Sequence, residues 1–282
     1  MTTTRELEGR SIVITGANTG IGQVTAERLA AHGAAVTLAC RSEERTRPVV
    51  DAIRAAGGDA RFEALDLGDL ASVRTCASRL LASERPIDVL INNAGLAGRR
   101  GVTKDGFELA FGTNHLGHFL LTVLLAPKLR AGKQARIVNV ASKAHYDAKG
   151  IDFDRLRQST RSVTGLPEYA VSKLANVLFT KELARRLGPT GVHSYSLHPG
   201  VVASDVWRSV PWGVRSLMKL FMISNEDGAK TTLYCATSRD VADHDGRYYD
   251  KCAEKVPSAL ADDPELSRAL WEKSVEYAGA EL

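Results

Sequence analysis

Short β-branched runs alternate with longer helical patterns along most of this chain, and this alternation restricts the available folds more than any other feature. We interpret six of the runs as strands: Ser11–Thr15, Ala35–Cys40, Arg61–Leu65, Ile87–Ile91, Arg136–Val140 and Val192–Leu197. Largely apolar strands that alternate with helices form parallel sheets covered on both faces. Because crossovers between parallel strands are right-handed, a doubly wound sheet is the simplest topology. The sequence therefore predicts an α/β fold with about seven parallel strands flanked by helices.

Length and composition favour one soluble domain over residues 1–282. A chain of this length can bury about three quarters of its unfolded surface in a single core. The net charge of +4 comes without a Lys/Arg cluster, so we expect no nucleic-acid partner. The stretch 109–127 contains Asn114, His115 and His118 and is too polar to span a membrane. Four scattered cysteines and an N-terminus without an apolar signal region indicate a cytoplasmic protein.

A glycine-rich turn joins the first strand to the first helix. Its sequence, Thr15-Gly-Ala-Asn-Thr-Gly-Ile-Gly22, has the spacing G-x-x-x-G-x-G. Glycines let the backbone turn tightly and approach a pyrophosphate, while the helix N-terminus supplies N–H groups and a favourable dipole. The turn predicts a dinucleotide site on a Rossmann-type sheet. The predicted contacts in it are Gly16, Asn18, Thr19, Gly20 and Ile21.

The end of the second strand indicates which dinucleotide binds. A site that prefers NAD places a carboxylate about 20 residues beyond the glycine turn, on the ribose 2′-hydroxyl. This strand ends in Cys40-Arg41-Ser42 instead, and Glu43 and Glu44 belong to the first turn of the next helix. Arg41 is therefore positioned to pair with a 2′-phosphate. We predict that NADP(H) is preferred over NAD(H).

A tyrosine and a lysine stand four residues apart on a strongly helical segment, 168–187. The spacing in Tyr169-Ala-Val-Ser-Lys173 places the phenol and the ammonium on one helix face. A nearby positive charge favours the phenolate, so we expect Lys173 to lower the pKa of Tyr169. Such a tyrosine acts as a general acid or base on an alcohol–ketone couple.

Taken with five further matches in the same order, these motifs resemble the short-chain dehydrogenase/reductase family. The matches are Asp66-Leu67 after the third strand, Asn92-Asn-Ala-Gly95 after the fourth, Asn114 in a mid-chain helix, Ser142 after the fifth strand, and Pro199-Gly200 after the sixth. The resemblance covers about residues 8–250. It leads us to expect that the cofactor site and the catalytic site belong to one domain.

The resemblance implies a role for each matching residue. Tyr169 would exchange a proton with the substrate oxygen, and Ser142 would hydrogen-bond to that oxygen. Lys173 would hold the nicotinamide ribose, and Asn114 would fix a water molecule beside Lys173. The implied cofactor contacts outside the glycine turn and Arg41 are Asp66, Leu67, Asn92, Ala94, Gly95, Tyr169, Lys173, Pro199, Gly200 and Val202.

Within the family, the chain is most similar to the retinol-dehydrogenase-like branch. The segments Leu38–Ser42, Asn114–Phe119 and His198–Val202 carry this similarity, and Ser142 and Tyr169 are unusually far apart. The extra residues, about 143–167, would form a loop near the site. The residues that begin the chain contain no apolar leader, so retinoid activity is not expected to follow from the similarity.

The resulting hypothesis is an NADP(H)-dependent oxidoreductase that interconverts a secondary alcohol and a ketone or aldehyde. The substrate is expected to be a bulky apolar or biosynthetic molecule. The sequence is also compatible with a homo-oligomer. Two alternatives stay open. One is C=C reduction or a redox-coupled elimination, and the other is an NADP(H)-sensing protein without turnover.

Three further features have competing interpretations. His115 and His118 lack a third ligand nearby, so we expect packing or solvent-facing histidines and no metal. The segment 203–225 is either a mobile substrate lid or an amphipathic helix packed on the sheet. A predicted C-terminal helix, 264–277, covers either the site or the edge of the domain.

Overall fold

The computed structural model describes residues 5–132, 134–200 and 223–282. Within these ranges the strands are β1 (Ser11–Thr15), β2 (Ala35–Cys40), β3 (Asp59–Ala64), β4 (Val89–Asn92), β5 (Arg136–Val140), β6 (His193–His198), β7 (Arg247–Asp250) and β8 (Ala253–Glu254). The helices are α1 (Gly20–Ala31), α2 (Glu43–Ala55), α3 (Leu70–Ala82), α4 (Leu109–Phe111), α5 (Gly117–Arg130), α6 (Leu166–Leu187), α7 (Asn225–Thr237) and α8 (Pro264–Ala278).

The strands form one sheet in the order β3-β2-β1-β4-β5-β6-β7-β8. Strands β1 to β7 are parallel, and only β8 pairs in the antiparallel direction, against β7. The predicted doubly wound α/β fold is confirmed, with β8 as an added edge strand. The strand order reverses between β1 and β4, and ligands of such sheets bind at the carboxyl ends of the strands at this point. Separate apolar cores cover the two faces.

Local capping explains where the helices around the site begin. The carboxylate of Asp69 accepts hydrogen bonds from the backbone of Ala71 and Ser72 and so caps α3. Helix α6 begins two residues before its predicted start. Gly165, with φ of +65°, ends the preceding loop, and Pro167 favours the first helical turn. This start places Tyr169 in the first turn of α6.

Strands β7 and β8 form a tight hairpin that we did not predict, because Arg-Tyr-Tyr-Asp is short and has polar ends. Asp250 pairs with Ala253, so Lys251 and Cys252 alone make the turn. Both have positive φ, +55° and +59°. A two-residue hairpin of this kind favours glycine or asparagine, because a Cβ is strained there.

Replacing Cys252 with glycine should therefore stabilise the protein, by roughly 1 kcal/mol, since the left-handed backbone then carries no Cβ. Thermal or urea unfolding measures the gain. Cys252→Ala is the matched control, because it removes the thiol and keeps the Cβ. A glycine variant no more stable than the alanine variant would contradict the strain argument.

The C-terminal helix α8 covers the outer face of α5 and α6, so the alternative in which it covers the site is wrong. Ser267 donates a hydrogen bond to the carbonyl of Leu178 over 2.9 Å, and Trp271 stacks on Phe179 with ring centroids 6.0 Å apart. The underlying run Leu109–Arg130 is long and apolar enough to cross a membrane, yet 83% of its most apolar window is buried inside the protein. It is a core helix of this fold. The predicted lid segment, 203–225, lies outside the described residues except for its last three.

Candidate active site

The glycine turn lies at the carboxyl end of β1, where the backbone approaches its neighbours closely. A Cβ on Gly16 would come within 2.8 Å of the Cβ of Ala94, and one on Gly22 within 2.5 Å of the Nδ2 of Asn93. The N-cap residue of α1, Thr19, makes no side-chain cap, and the first turn of α1 contains no acid. Helices α2 and α3, in contrast, are capped by Ser42 and Asp69. The N-terminus of α1 therefore suits an anion such as a pyrophosphate.

A cleft of about 420 Å³ opens along this edge of the sheet. This volume is within the usual range for small-molecule sites. The predicted site residues that line it are Gly16, Asn18, Thr19, Gly20, Ile21, Arg41, Asp66, Leu67, Ala94, Gly95, Ser142, Tyr169, Lys173, Pro199 and Gly200. The glycine turn, Arg41 and the group Ser142, Tyr169 and Lys173 therefore come together in one cleft, whose lining does not include the predicted catalytic residue Asn114. Val202 lies outside the described residues.

Asn92 does not line the cleft, in contrast to the predicted contact between its side chain and the cofactor. Its side-chain amide is buried in the sheet and donates to Thr122 over 3.0 Å and to Asn139 over 2.8 Å. The next residue, Asn93, does line the cleft. Its Nδ2 donates to the carbonyls of Thr15 and Gly16, so it holds the glycine turn in place.

Asn114 lies in a single π-helical turn, residues 112–116, between α4 and α5, and not in regular α-helix. Such turns are frequent at functional sites. Its side chain receives a hydrogen bond from the N–H of Leu96 and donates to the carbonyl of Leu96 and to Ser172. Asn114 thus fixes the chain beside Gly95. A Cβ on Gly95 would lie 3.4 Å from Asn114 Oδ1 and 3.6 Å from Lys173 Nζ.

Both histidines of the candidate pair are buried, in agreement with the packing interpretation. His118 bridges the carbonyl of Asn114 and the hydroxyl of Thr15, and burial lowers its pKa to about 4. His115 meets Ser274 of α8, and burial lowers its pKa to about 3. Both are neutral at pH 7. Among residues 5–132, 134–200 and 223–282, no three metal-ligating side chains converge.

The catalytic candidates Ser142, Tyr169 and Lys173 share one end of the cleft. The phenol of Tyr169 is buried and interacts with the hydroxyl of Ser142. Lys173 Nζ donates to the carbonyl of Val140 over 2.8 Å and lies 5.6 Å from the centre of the Tyr169 ring. The arrangement places a proton donor, a hydroxyl and an amine around a single point.

The predicted effect of Lys173 on Tyr169 needs correction. Burial raises the pKa of Tyr169, and the hydrogen bond with Ser142 offsets only part of that rise. Burial also lowers the pKa of Lys173 from 10.5 to about 7, because desolvation disfavours the ammonium. The loss of solvent therefore decides the pKa of Tyr169 in the protein alone, and the lysine does not.

This shift gives stability a defined pH dependence. Between pH 7 and 10.5 the unfolded chain holds a proton on Lys173 that the folded chain has lost, so unfolding takes up protons there. The contribution of Lys173 to the free energy of unfolding should therefore rise as the pH goes from 7 to 10.5. The same contribution is lost again as the pH falls back to 7. Melting temperatures of the wild type and Lys173→Met, measured without nicotinamide, test this. We expect their difference to shift in favour of the wild type as pH rises. A difference that stays constant from pH 7 to 10 would refute the shift.

Arg45 is a cleft residue that sequence reasoning missed. It lines the cleft together with Arg41 and Ser42 at the end of β2. Arg45 is four residues beyond Arg41 and lies in the first turn of α2, after the cap residue Ser42. The sequence does not show that the chain turns at Ser42 and so brings Arg45 to the same cleft as Arg41. The cleft also takes in Arg99, Lys143 and His198, which no motif identified as lining residues.

This protein has the features of a nicotinamide-dependent oxidoreductase. These are a Rossmann-type sheet, a glycine turn shaped for a dinucleotide, and a Ser–Tyr–Lys group in the same cleft. Residues 10–152 match the short chain dehydrogenase family, and the chain belongs to that family. The likeness to known proteins extends well beyond those residues and places the chain in the retinol-dehydrogenase-like branch.

Two human relatives carry that likeness. Retinol dehydrogenase 13 is 41% identical, over 98% of this chain and 86% of that protein. Dehydrogenase/reductase SDR family member 13 is 46% identical, over 97% of this chain and 74% of that protein. Among solved structures, an uncharacterized protein from Mycobacterium paratuberculosis has a TM-score of 0.80 at 33% identity, covering 100% of this chain and 99% of that one.

Two further structural neighbours contain different nicotinamide cofactors. One, described as an NAD(P)-dependent gluconate 5-dehydrogenase from Beutenbergia cavernae with bound NADP, has a TM-score of 0.72 at 25% identity, over 88% of this chain and 96% of that one. The other, a 3-ketoacyl-(acyl-carrier-protein) reductase from Brucella melitensis complexed with NADH, has a TM-score of 0.69 at 26% identity, over 87% and 97%. The family fold therefore accepts either dinucleotide.

Proposed function

We propose that this protein is an NADP(H)-dependent oxidoreductase that interconverts a secondary alcohol and a ketone or aldehyde. The observation that carries the proposal is the meeting of Ser142, Tyr169 and Lys173 in the cleft that begins at the glycine turn. A dinucleotide-binding protein without turnover has no need for a buried phenol in contact with a hydroxyl and close to a buried amine. This grouping suits proton exchange with a substrate oxygen.

In the reductive direction, a nicotinamide cofactor held by the glycine turn and Lys173 would supply the hydride that the carbonyl carbon receives. Tyr169 donates its phenolic proton to the carbonyl oxygen, so that the product is a neutral alcohol. The hydroxyl of Ser142 hydrogen-bonds to the same oxygen and orients it. In its protonated form Lys173, 5.6 Å from the centre of the Tyr169 ring, favours the phenolate that remains after this transfer. In the oxidative direction, the phenolate of Tyr169 accepts the proton from the alcohol.

The preference for NADP(H) is supported by the charges at the end of β2. Arg41 and Arg45 both line the cleft there. The acid that follows in sequence, Glu43, forms an ion pair with Arg47 over 2.7 Å. Two guanidinium groups at this place suit the 2′-phosphate of NADP(H), since guanidinium matches phosphate geometry.

An apolar substrate is supported by the side chains on segments that border the cleft. Leu166 is exposed one turn before Tyr169 on α6, and Val163 is exposed in the loop before it. Tyr146 is exposed four residues after Ser142, and its hydroxyl donates to the carbonyl of Val256, another exposed residue. These side chains do not line the cleft themselves, but exposed apolar groups on segments that carry cleft residues favour a ligand with an apolar portion.

Purified protein tests the proposal directly. NADPH and NADH are each supplied with a series of aldehydes and ketones of increasing apolar size, including α,β-unsaturated members, and cofactor oxidation and products are measured. We expect faster turnover with NADPH, better substrates as apolar size grows, and the alcohol as product. A saturated carbonyl product would establish C=C reduction instead. Tight NADPH binding without any turnover would favour the sensing role.

We also propose a cytoplasmic location, which the cysteines support. Cys40, Cys76, Cys235 and Cys252 are all free thiols, as expected of a reducing compartment. Cell fractionation checks the location, and a separate measurement by light scattering of the purified protein checks whether it forms a homo-oligomer.

A further inference from the structure

The loop that carries Ser142 is built around one buried histidine that does not line the cleft. His145 is fully buried, between the rings of Tyr146 and Tyr248. Its Nδ1 lies 2.7 Å from the carbonyl oxygen of Ser142. On the other side of the ring, Nε2 lies 3.1 Å from the backbone nitrogen of Ser258. Both ring nitrogens therefore have a backbone partner.

These partners fix which ring nitrogen carries the proton. The backbone nitrogen of Ser258 only donates, so Nε2 of His145 must accept. The carbonyl of Ser142 only accepts, so Nδ1 must donate. The neutral imidazole with its proton on Nδ1 satisfies both bonds. The opposite tautomer would set two donors against each other at Ser258 and two acceptors against each other at Ser142.

The same loop is also bonded to the end of β7, to the segment that follows β7, and to the end of β6. Lys143 Nζ lies 3.3 Å from the Asp250 carboxylate, and the hydroxyl of Tyr146 donates to the carbonyl of Val256 over 2.5 Å. The N–H of Lys143 donates to His198 Nδ1 over 3.3 Å. The loop that carries Ser142 is thus held against residues 250–258 and against His198 at the end of β6. Of the side chains that tie this loop to residues 250–258, only the His145 ring also bonds to Ser142, whose carbonyl accepts in addition from the backbone N–H of His145 over 3.2 Å.

We propose that His145 is a positioning residue for the reaction, holding the backbone of Ser142 to that of Ser258 so that the serine hydroxyl meets the Tyr169 phenol. This inference rests on the proposed oxidoreductase function. His145 acts through Ser142, since it is buried away from the cleft. Misplacing a reacting group by about 1 Å can cost on the order of a hundredfold in rate. The donor on Nδ1 is the part of the ring that this role requires.

Two substitutions separate the halves of the ring. The amide of His145→Asn reaches the place of Nδ1 and can still donate to the Ser142 carbonyl. The amide of His145→Gln reaches the place of Nε2 and can still accept from Ser258, but it leaves the Ser142 carbonyl without its side-chain donor. We expect His145→Asn to keep kcat within about threefold of wild type, and His145→Gln to lose roughly ten- to a hundredfold. NADPH affinity should be unchanged in both.

A purely structural role would lower the melting temperature of both variants and change kcat of neither, or of both alike. Either pattern in kcat would overturn the proposal. The tautomer gives a readout that needs no turnover, because nitrogen NMR of labelled histidine distinguishes a proton on Nδ1 from one on Nε2. A proton on Nε2 in the wild-type protein would overturn the proposal. Should the wild type reduce no carbonyl, the proposed function fails, while the NMR result still decides whether the histidine joins Ser142 to Ser258.

Discussion

Replacing Tyr169 with phenylalanine should lower kcat for carbonyl reduction about a thousandfold, the usual contribution of a positioned general acid. The variant loses the hydroxyl that we propose passes a proton to the substrate oxygen, while its ring still fills the same buried space beside Ser142. NADPH affinity should therefore change little. Steady-state kinetics and titration of cofactor fluorescence measure the two quantities separately.

Tyr248→Phe is the matched control for that experiment. Tyr248 is also buried, and its hydroxyl has no partner among the described residues. Its loss should leave kcat near the wild-type value. Near-normal activity in Tyr169→Phe would remove this tyrosine from the mechanism and, with it, the proposed proton transfer.

The Arg41→Ala variant should lose roughly ten- to a hundredfold in kcat/KM for NADPH, with little change for NADH. The expected size follows from a charge-assisted bond of about 1.5–3 kcal/mol to a phosphate that NADH lacks. Substitution of Arg45, alone and together with Arg41, then measures how the two guanidinium groups divide this recognition. Kinetics with both cofactors at a saturating carbonyl concentration give the result.

Arg47→Ala provides the control for charge alone. Arg47 lies on α2, the helix that also carries Arg45. It pairs with Glu43 and does not line the cleft. It should leave the ratio of NADPH to NADH efficiency unchanged. Equal losses with both cofactors in Arg41→Ala would contradict the assignment to the 2′-phosphate.

Features set by short-range sequence pattern could be predicted well. The apolar runs located six strands to within two residues. The glycine turn and the Tyr169–Lys173 spacing depend only on neighbours in the chain, and the structure brings them into one cleft. The hairpin of β7 and β8 was missed because its strands are short, and they become strands only through pairing of β7 with β6 and of β8 with β7.

Features that depend on distant partners could not be predicted from the residues themselves. Asn92 was expected at the cofactor, but Thr122 and Asn139, thirty and forty-seven residues away, turn its side chain into the sheet. The pKa of Tyr169 was expected to fall, because a charge four residues away is visible in a sequence and burial is not. The π turn at Asn114 likewise leaves no signature that distinguishes it from regular helix.

The packing of α8 also provides an optical probe. Trp271 is almost fully buried against Phe119 and Phe179, with the Arg186 guanidinium 4.5 Å from its ring centre. Its fluorescence should be that of an indole shielded from water and should shift to longer wavelength if α8 separates from α5 and α6. The other two tryptophans, Trp207 and Trp212, belong to the segment 203–225. In a Trp271→Phe protein all indole emission comes from that segment, so a single substitution separates the signal of the C-terminal helix from that of residues 203–225.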